Sequence, residues 1–232
     1  RSFNEMAAAL QSAETLRRNL LADVAHELRT PLTVLQGNLQ AILDGVYPLE
    51  KSEVARLHDQ TRHLHRLVND LHALAQAEAR QLPLRSEPLD PAALAREAVE
   101  LFGPVAEESG VRLVLEAQSD LPAIQGDRAR LMQVLQNLLN NALRHTPAGG
   151  EIRVSLTARP GRGGDGVEIS VADTGEGIAA EDLPHIFDRF YRAGVARDRD
   201  RGGAGLGLAI VRALVEAHGG EVLALIGENG AG

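Results

Sequence analysis

The sequence predicts a helical hairpin, completed to a four-helix bundle by dimerisation, followed by an α/β sandwich of mixed sheet with helices on one face. Three observations predict it. Apolar residues recur at three- to four-residue spacing through residues 5–46 and again through 50–79, with Asp44-Gly45-Val46-Tyr47-Pro48 between them. Residues 81–90, with Pro83 and Pro88, read as an extended linker. Beyond it the pattern runs helix, strand, helix, strand, strand, helix, strand.

In the first helix the apolar stripe is Leu16, Leu20, Val24, Leu28, Leu32, Leu35, Leu39, Ile42 and Val46. In the second it is Val54, Leu57, Thr61, Leu64, Val68, Leu71 and Ala75. A hairpin alone cannot enclose a core, so a homodimer is expected. His58, His63, His65 and His72 decorate the second helix and read as solvated surface, since His63 and His65 diverge at i,i+2. Asp90 followed by Pro91 caps a helix that Gly110 stops near residue 109. Residues 111–116 alternate as a strand. Asp127 caps a helix to about His145 that buries Leu131, Val134, Leu135, Leu138, Leu139 and Ala142. Residues 151–158 and 167–172 alternate as strands around a glycine-rich hairpin tip at 160–166. A last helix over 205–218 and a strand over 221–226 complete the order.

Composition excludes several classes. The chain has 232 residues, 44% of them hydrophobic, enough for two modest domains. It has no Cys, which removes disulfides, thiolate metal sites and a thiol nucleophile. No Trp, 3% aromatics and a net charge of −8 disfavour a nucleic-acid partner. Residues 1–80 carry 9 basic and 10 acidic side chains, and the remainder 15 and 22, so the second part holds most of the negative charge. Lys51 is the sole lysine, which removes a Walker A loop and the strand lysine of eukaryotic-type protein kinases. No run of about 20 apolar residues suits a membrane span, and no signal peptide is visible. The first residue is Arg1, inside a helical pattern, so the chain reads as a piece of something longer.

Five stretches carry chemistry. His26-Glu27-Leu28-Arg29-Thr30-Pro31 sets a histidine beside an acid, with Thr30 on the same helical face at i+4 and Pro31 expected to bend the helix. A solvated helix face reads equally well at this point. Asn137 and Asn141 are i,i+4 neighbours whose carboxamide oxygens can hold a hydrated Mg2+ beside phosphates, with Arg144 at i+3 from Asn141. Asp173-Thr174-Gly175-Glu176-Gly177 places an acceptor at a strand end, before a backbone that a flat ligand can approach. Phe187-Asp188-Arg189-Phe190-Tyr191-Arg192 precedes a polar stretch, 193–201, that reads as a mobile lid, and Arg192 could reach phosphates. Gly203-Ala204-Gly205-Leu206-Gly207 opens a helix, and a helix N-terminus attracts phosphate.

Taken in order, these five boxes resemble the sensor histidine kinases of two-component systems over residues 1–226. Arg1-Ser2-Phe3-Asn4-Glu5-Met6-Ala7 resembles the end of a HAMP signalling helix, and the 41–46 region resembles the envelope-stress sensor kinases. The resemblance implies four segments: 1–15 the end of that signalling helix, 16–80 the dimerisation and phosphotransfer hairpin, 81–89 a linker, and 90–232 an Hsp90-like ATP-binding domain. It implies that His26 attacks the γ-phosphorus of ATP, with Glu27 orienting the imidazole and accepting its proton. Thr30 would position water for dephosphorylating a partner response regulator. Asp173 would bind the adenine amine, beside Gly175 and Gly177. Asn137 and Asn141 would hold Mg2+, with Arg144 near the phosphates, and Gly203, Gly205 and Gly207 would let the lid close. The implied setting is the cytoplasmic portion of a bacterial inner-membrane sensor, anchored only through segments outside this sequence. ATPases of the superfamily carry a glutamate where Asn137 stands, which favours transfer to histidine over a chaperone-like or mismatch-repair-like ATPase. A dimeric scaffold with a dead nucleotide site is a further alternative, opposed by the intact boxes. The family usually ends in a further strand with a Phe-rich finish, whereas this sequence closes on Gly227-Glu228-Asn229-Gly230-Ala231-Gly232.

Overall fold

A computed structural model describes residues 24–25, 28–78, 82–161, 164–192 and 204–224. The chain divides into two compact units, Arg1–His72 and Ala73–Gly232.

In the first unit, helix α1 spans residues 28–43 and runs through Pro31 without interruption. Gly45 ends it at φ +72°, a conformation that costs glycine least, and Val46 N–H donates back to the Ala41 carbonyl at 2.9 Å. Helix α2, Lys51–Glu78, returns alongside, and its residues from Ala73 onward belong to the second unit. Pro31 and Val34 of α1 line one groove with Asp59, Gln60 and Arg66 of α2, a space of about 440 Å³.

The apolar stripes of the hairpin split into two faces. Leu28, Leu35 and Ile42 are half-buried, as are Leu57, Leu64 and Leu71. The residues between them point outward: Leu32, Leu39 and Val46 are 43, 44 and 69% exposed, and Val54 and Val68 49% each. Each set falls on a seven-residue repeat, Val54 and Val68 lying two repeats apart with Thr61 between them, so each helix offers one seam to its hairpin partner and a second, uncovered seam to something else. A three-to-four spacing read from sequence merges the two.

In the second unit, Asp90 caps helix α3, Pro91–Glu108, by accepting from the N–H groups of Ala92 and Ala93. Helix α4, Arg128–His145, crosses over between two parallel strands, β2 (Arg112–Ala117) and β4 (Glu151–Gly161). Strand β5, Gly164–Asp173, pairs antiparallel to β4, giving the sheet order β2-β4-β5. Inward-facing Ile152, Val154 and Leu156 are buried against Leu94, Ala95, Ala98 and Phe102 of α3 and Leu135, Leu139 and Ala142 of α4. The alternate β4 residues Arg153 and Thr157 are exposed, so the helices cover one face of the sheet. Helix α5, Gly207–Ala217, packs on α4.

Three features differ from the sequence pattern. The hairpin is longer than its alternation shows: β4 runs to Gly161 and β5 starts at Gly164, so the ladder takes in most of the 160–166 stretch expected as its tip, because backbone pairing continues past the alternating side chains. Strands β1 (Glu87–Leu89) and β3 (Ile124–Gly126) form a small separate antiparallel pair, too short to show a period. The strand expected over 221–226 is absent over 221–224, where the backbone joins no ladder; residues 225–226 lie outside the described set. Alternation is a weak, context-dependent determinant of a strand, and residues 221–224 pair with neither open edge of the β2-β4-β5 sheet.

A buried clasp ties the linker to α4 and α5. Asp127 is 7% exposed, and its carboxylate accepts from Arg85 N–H at 2.9 Å and Arg130 N–H at 3.1 Å. Asp127 N–H donates to Nε2 of His218 at 3.0 Å, so the His218 proton resides on Nδ1, which donates to the Leu214 carbonyl at 2.7 Å. Burial alone would raise the Asp127 pKa. The backbone donors of Arg85, Arg130 and Ala129 outweigh it, and the carboxyl ionises below its ordinary value of 3.8. A depressed folded-state pKa contributes stability that is present above the unfolded value and lost as pH falls through the folded one. Asp127→Ala is therefore expected to cost about 2 kcal/mol at pH 7. The difference in Tm from the parent should shrink below about pH 4. Thermal melts across pH check both.

Candidate functional site

Helix α4 is the platform. Asp127 starts it, and its Leu135, Leu139 and Ala142 face is fixed against the sheet. That leaves Asn137, Asn141 and His145, at steps of four, along one stripe. Asn137 and Asn141 are half-buried and Arg144 is exposed.

At the N-terminal end of this stripe sits the start of α5. The α-carbon of Gly207 faces the Asn137 carboxamide, which a β-carbon there would meet at 4.0 Å. Leu206, the residue before α5, is buried and gives no side-chain cap, so the helix's first N–H groups have no side-chain acceptor there. The Asn137 side-chain nitrogen is itself buried without a hydrogen-bond partner.

At the C-terminal end sits the loop after β5. Asp173 is the last β5 residue, opposite Ile152 in the ladder. Its Oδ1 accepts from Gly175 N–H at 2.9 Å, while its Oδ2 has no partner among the described residues. Thr174 ties the loop to β4 through its N–H on the Glu151 carbonyl, 3.0 Å, and its hydroxyl accepting from Glu151 N–H, 2.9 Å. Gly175 packs so closely on α4 that a β-carbon would lie 2.4 Å from the His145 carbonyl oxygen. His145 Nδ1 meets Glu176 Oε1 at 3.0 Å.

The Phe-Asp-Arg-Phe box folds onto the glycine stretch. Phe190 N–H donates to the Gly205 carbonyl at 3.0 Å, and Phe190 (φ +60°) and Gly205 (φ +66°) are both left-handed. Tyr191 hydroxyl donates to Asp182 Oδ1 at 2.5 Å. That hydrogen bond, reinforced by partial desolvation and by the charges of Asp182, Glu181 and Asp188, raises the Tyr191 pKa above its ordinary value. His185 pairs with Asp188 at 2.9 Å and packs its ring 5.4 Å from that of Tyr191.

Of the residues singled out from sequence, the second unit thus brings Asn137 together with Gly207, joins Gly175 to the end of α4 beside Asp173, and closes Gly205 on the aromatic box. Gly177 has φ +73° and open space at its α-carbon. Arg192 is exposed. His26, Glu27 and Gly203 lie outside the described residues; Thr30 is exposed on α1, in the first unit. His145, Glu176 and Thr174 were not singled out. The signal for His145 was present, since it continues the Asn137–Asn141 stripe by one more step of four.

Residues 16–80 match the His Kinase A (phospho-acceptor) domain, and residues 126–231 match the histidine kinase-, DNA gyrase B- and HSP90-like ATPase domain. The signal transduction histidine-protein kinase BaeS of Escherichia coli is 40% identical over 96% of this chain and 46% of its own length. The sensor protein DivL of Caulobacter vibrioides is 41% identical over 98% of this chain and 28% of its own. The chain therefore spans about half of the first relative and less of the second. The Acinetobacter baumannii histidine kinase AdeS superposes with a TM-score of 0.69 at 34% identity, covering 83% of this chain and 86% of that one. Histidine kinase ThkA, solved in complex with response regulator protein TrrA, gives 0.65 at 25% identity, covering 87% and 55%. With both domain models matched in order, and a solved histidine kinase covered over most of its length, this chain belongs to the sensor histidine kinases, with the ATP-binding domain of the Hsp90-like type.

Proposed function

We propose that the chain transfers the γ-phosphoryl group of ATP to His26 and passes it to an aspartate of a response regulator. The observation that carries this reading is the α4 stripe, with an uncapped helix N-terminus at one end and a free carboxylate oxygen at the other. A triphosphate suits the first and an exocyclic amine the second.

In the proposed step a neutral ring nitrogen of His26 forms a bond to the γ-phosphorus while the bond to the ADP oxygen breaks and ADP leaves. Glu27 holds the ring and accepts its proton. Asp173 Oδ2 accepts from the adenine amine, and Gly175 and Gly177 leave the base room to approach. The unpartnered nitrogen of Asn137 and the first N–H groups of α5, at Gly207, donate to phosphate oxygens. Arg144 and Arg192, with Gly203 and Gly205 in the flanking loop, complete the phosphate end. The oxygens of Asn137 and Asn141 suit Mg2+, which would neutralise developing phosphate charge when bound. Thr30 positions water for the reverse duty, dephosphorylating the regulator.

The proposed division is 1–15 as the end of a signalling helix, 16–80 as the phosphotransfer hairpin, 81–89 as linker and 90–232 as the nucleotide domain. Among the described residues no helix is long and apolar enough to cross a membrane. A membrane-anchored sensor with this portion in the cytoplasm would carry its span elsewhere. The outward seams support a homodimer. Leu39→Asp with Val68→Asp places charge in both seams and is expected to give a monomer by light scattering. Incubation with γ-labelled ATP and Mg2+ tests the whole reading: the chain should acquire an acid-labile label. Asp173→Asn should lose at least about 90% of it, because one of the two contacts on the carboxylate becomes a donor facing a donor. The same variant should stay dimeric.

A further inference from the structure

We propose that His145 and Glu176 form a latch that holds the 173–177 loop on α4 and so sets the affinity for the base end of the nucleotide. The inference rests on the nucleotide reading of the site. His145 touches the loop twice. Its carbonyl lies under Gly175, where a β-carbon would come within 2.4 Å, and its ring Nδ1 meets Glu176 Oε1 at 3.0 Å. A carboxylate offers no proton, so Nδ1 is the donor. Glu176 stands between Gly175 and Gly177, and Gly177 has φ +73° with open space around it. A Gly-Glu-Gly backbone has much conformational freedom to lose on ordering. Asp173 is anchored upstream by the ladder, and Thr174 by Glu151, but downstream the Glu176 side chain is the loop's polar tether to α4 among the described residues. A tether that pre-orders the loop lowers the entropic cost of closing it round a ligand, which appears as affinity. It also couples the stripe carrying Asn137 and Asn141 to the Asp173 end of the site. The His145 side chain is 39% exposed and the Glu176 side chain 74%, so solvent screens the pair and limits the effect to a few-fold.

The test is calorimetric titration of the full chain with ATP and Mg2+, with thermal melts of the nucleotide-free protein alongside. His145→Leu and Glu176→Leu should each weaken ATP binding about three- to fivefold. The double variant should be no weaker than either single one, because the two act as one contact. His145→Asn keeps a donor close to the position of Nδ1 and should bind within about twofold of the parent. Melting temperatures of the nucleotide-free variants should agree with the parent within about 2 °C. Additive losses, no rescue by asparagine, unchanged ATP affinity, or a loss that follows a collapse in melting temperature would each overturn the latch. Failure of the parent chain itself to bind ATP would overturn the nucleotide reading instead, and the latch with it.

Discussion

Replacing His26 with glutamine is expected to abolish the label acquired from γ-labelled ATP, by about a thousandfold or more. The carboxamide nitrogen of glutamine has its lone pair delocalised into the carbonyl and cannot form the bond to phosphorus, whatever the nucleotide domain does. The competitor is specific. His58 is also followed by an acid, Asp59, with Nδ1 and Oδ1 3.9 Å apart, and it is exposed on α2. The residue four beyond His58 is Arg62, with no hydroxyl and no following proline, whereas His26 has Thr30 and Pro31. His58→Gln should therefore label like the parent. The bond type is a second reading of the same experiment. A phosphohistidine P–N bond is lost in acid and survives base, while serine and threonine esters behave oppositely. Label that persists in His26→Gln and stays acid-labile would move the acceptor to another imidazole and sink the role assigned to His26. ATP affinity should be preserved in this variant, since the nucleotide residues lie in the other unit.

How much of this was legible in the sequence depends on how local each determinant is. The caps at Asp90 and Asp127 bond to N–H groups two and three residues away, and both read correctly from sequence. The boxes around Asn137, Asp173 and Gly205 are equally local, so the site's parts could be named before their arrangement was known. The arrangement itself could not. Glu176 meets His145 from 31 positions away, and Asp127 reaches Arg85 across 42 and His218 across 91. The hairpin shows a subtler limit. Leu32 and Leu35 are both apolar and three apart, yet they serve different seams, and only burial separates them. Residues 221–224 show the reverse error, where alternation reads as a strand but the backbone joins no ladder among the described residues.

Gly205→Ala is expected to reduce ATP binding at least about tenfold and to lower stability by about 2–4 kcal/mol. Two independent costs meet at this position. Gly205 has φ +66°, where a β-carbon is strained by about 1 kcal/mol. That β-carbon would also lie 2.7 Å from the Phe190 carbonyl carbon, 2.8 Å from the Tyr191 carbonyl oxygen and 2.9 Å from the Phe190 α-carbon. All three are backbone atoms, so no side chain can swing aside. Relief requires moving the Phe190–Tyr191 backbone, which breaks the Phe190 N–H bond to the Gly205 carbonyl and pulls Tyr191 from Asp182. Moving Gly205 instead shifts the start of α5, where Gly207 faces Asn137. Either route disturbs the phosphate end proposed for the site. Gly149→Ala separates the two costs, because Gly149 has φ +87° with nothing within 4 Å of the added carbon. It should lose about 1 kcal/mol of stability and bind ATP like the parent. Chemical denaturation and calorimetric titration of the two variants side by side give both numbers. If Gly205→Ala behaves like Gly149→Ala in both, the packing of the aromatic box on the glycine stretch has no part in holding the nucleotide.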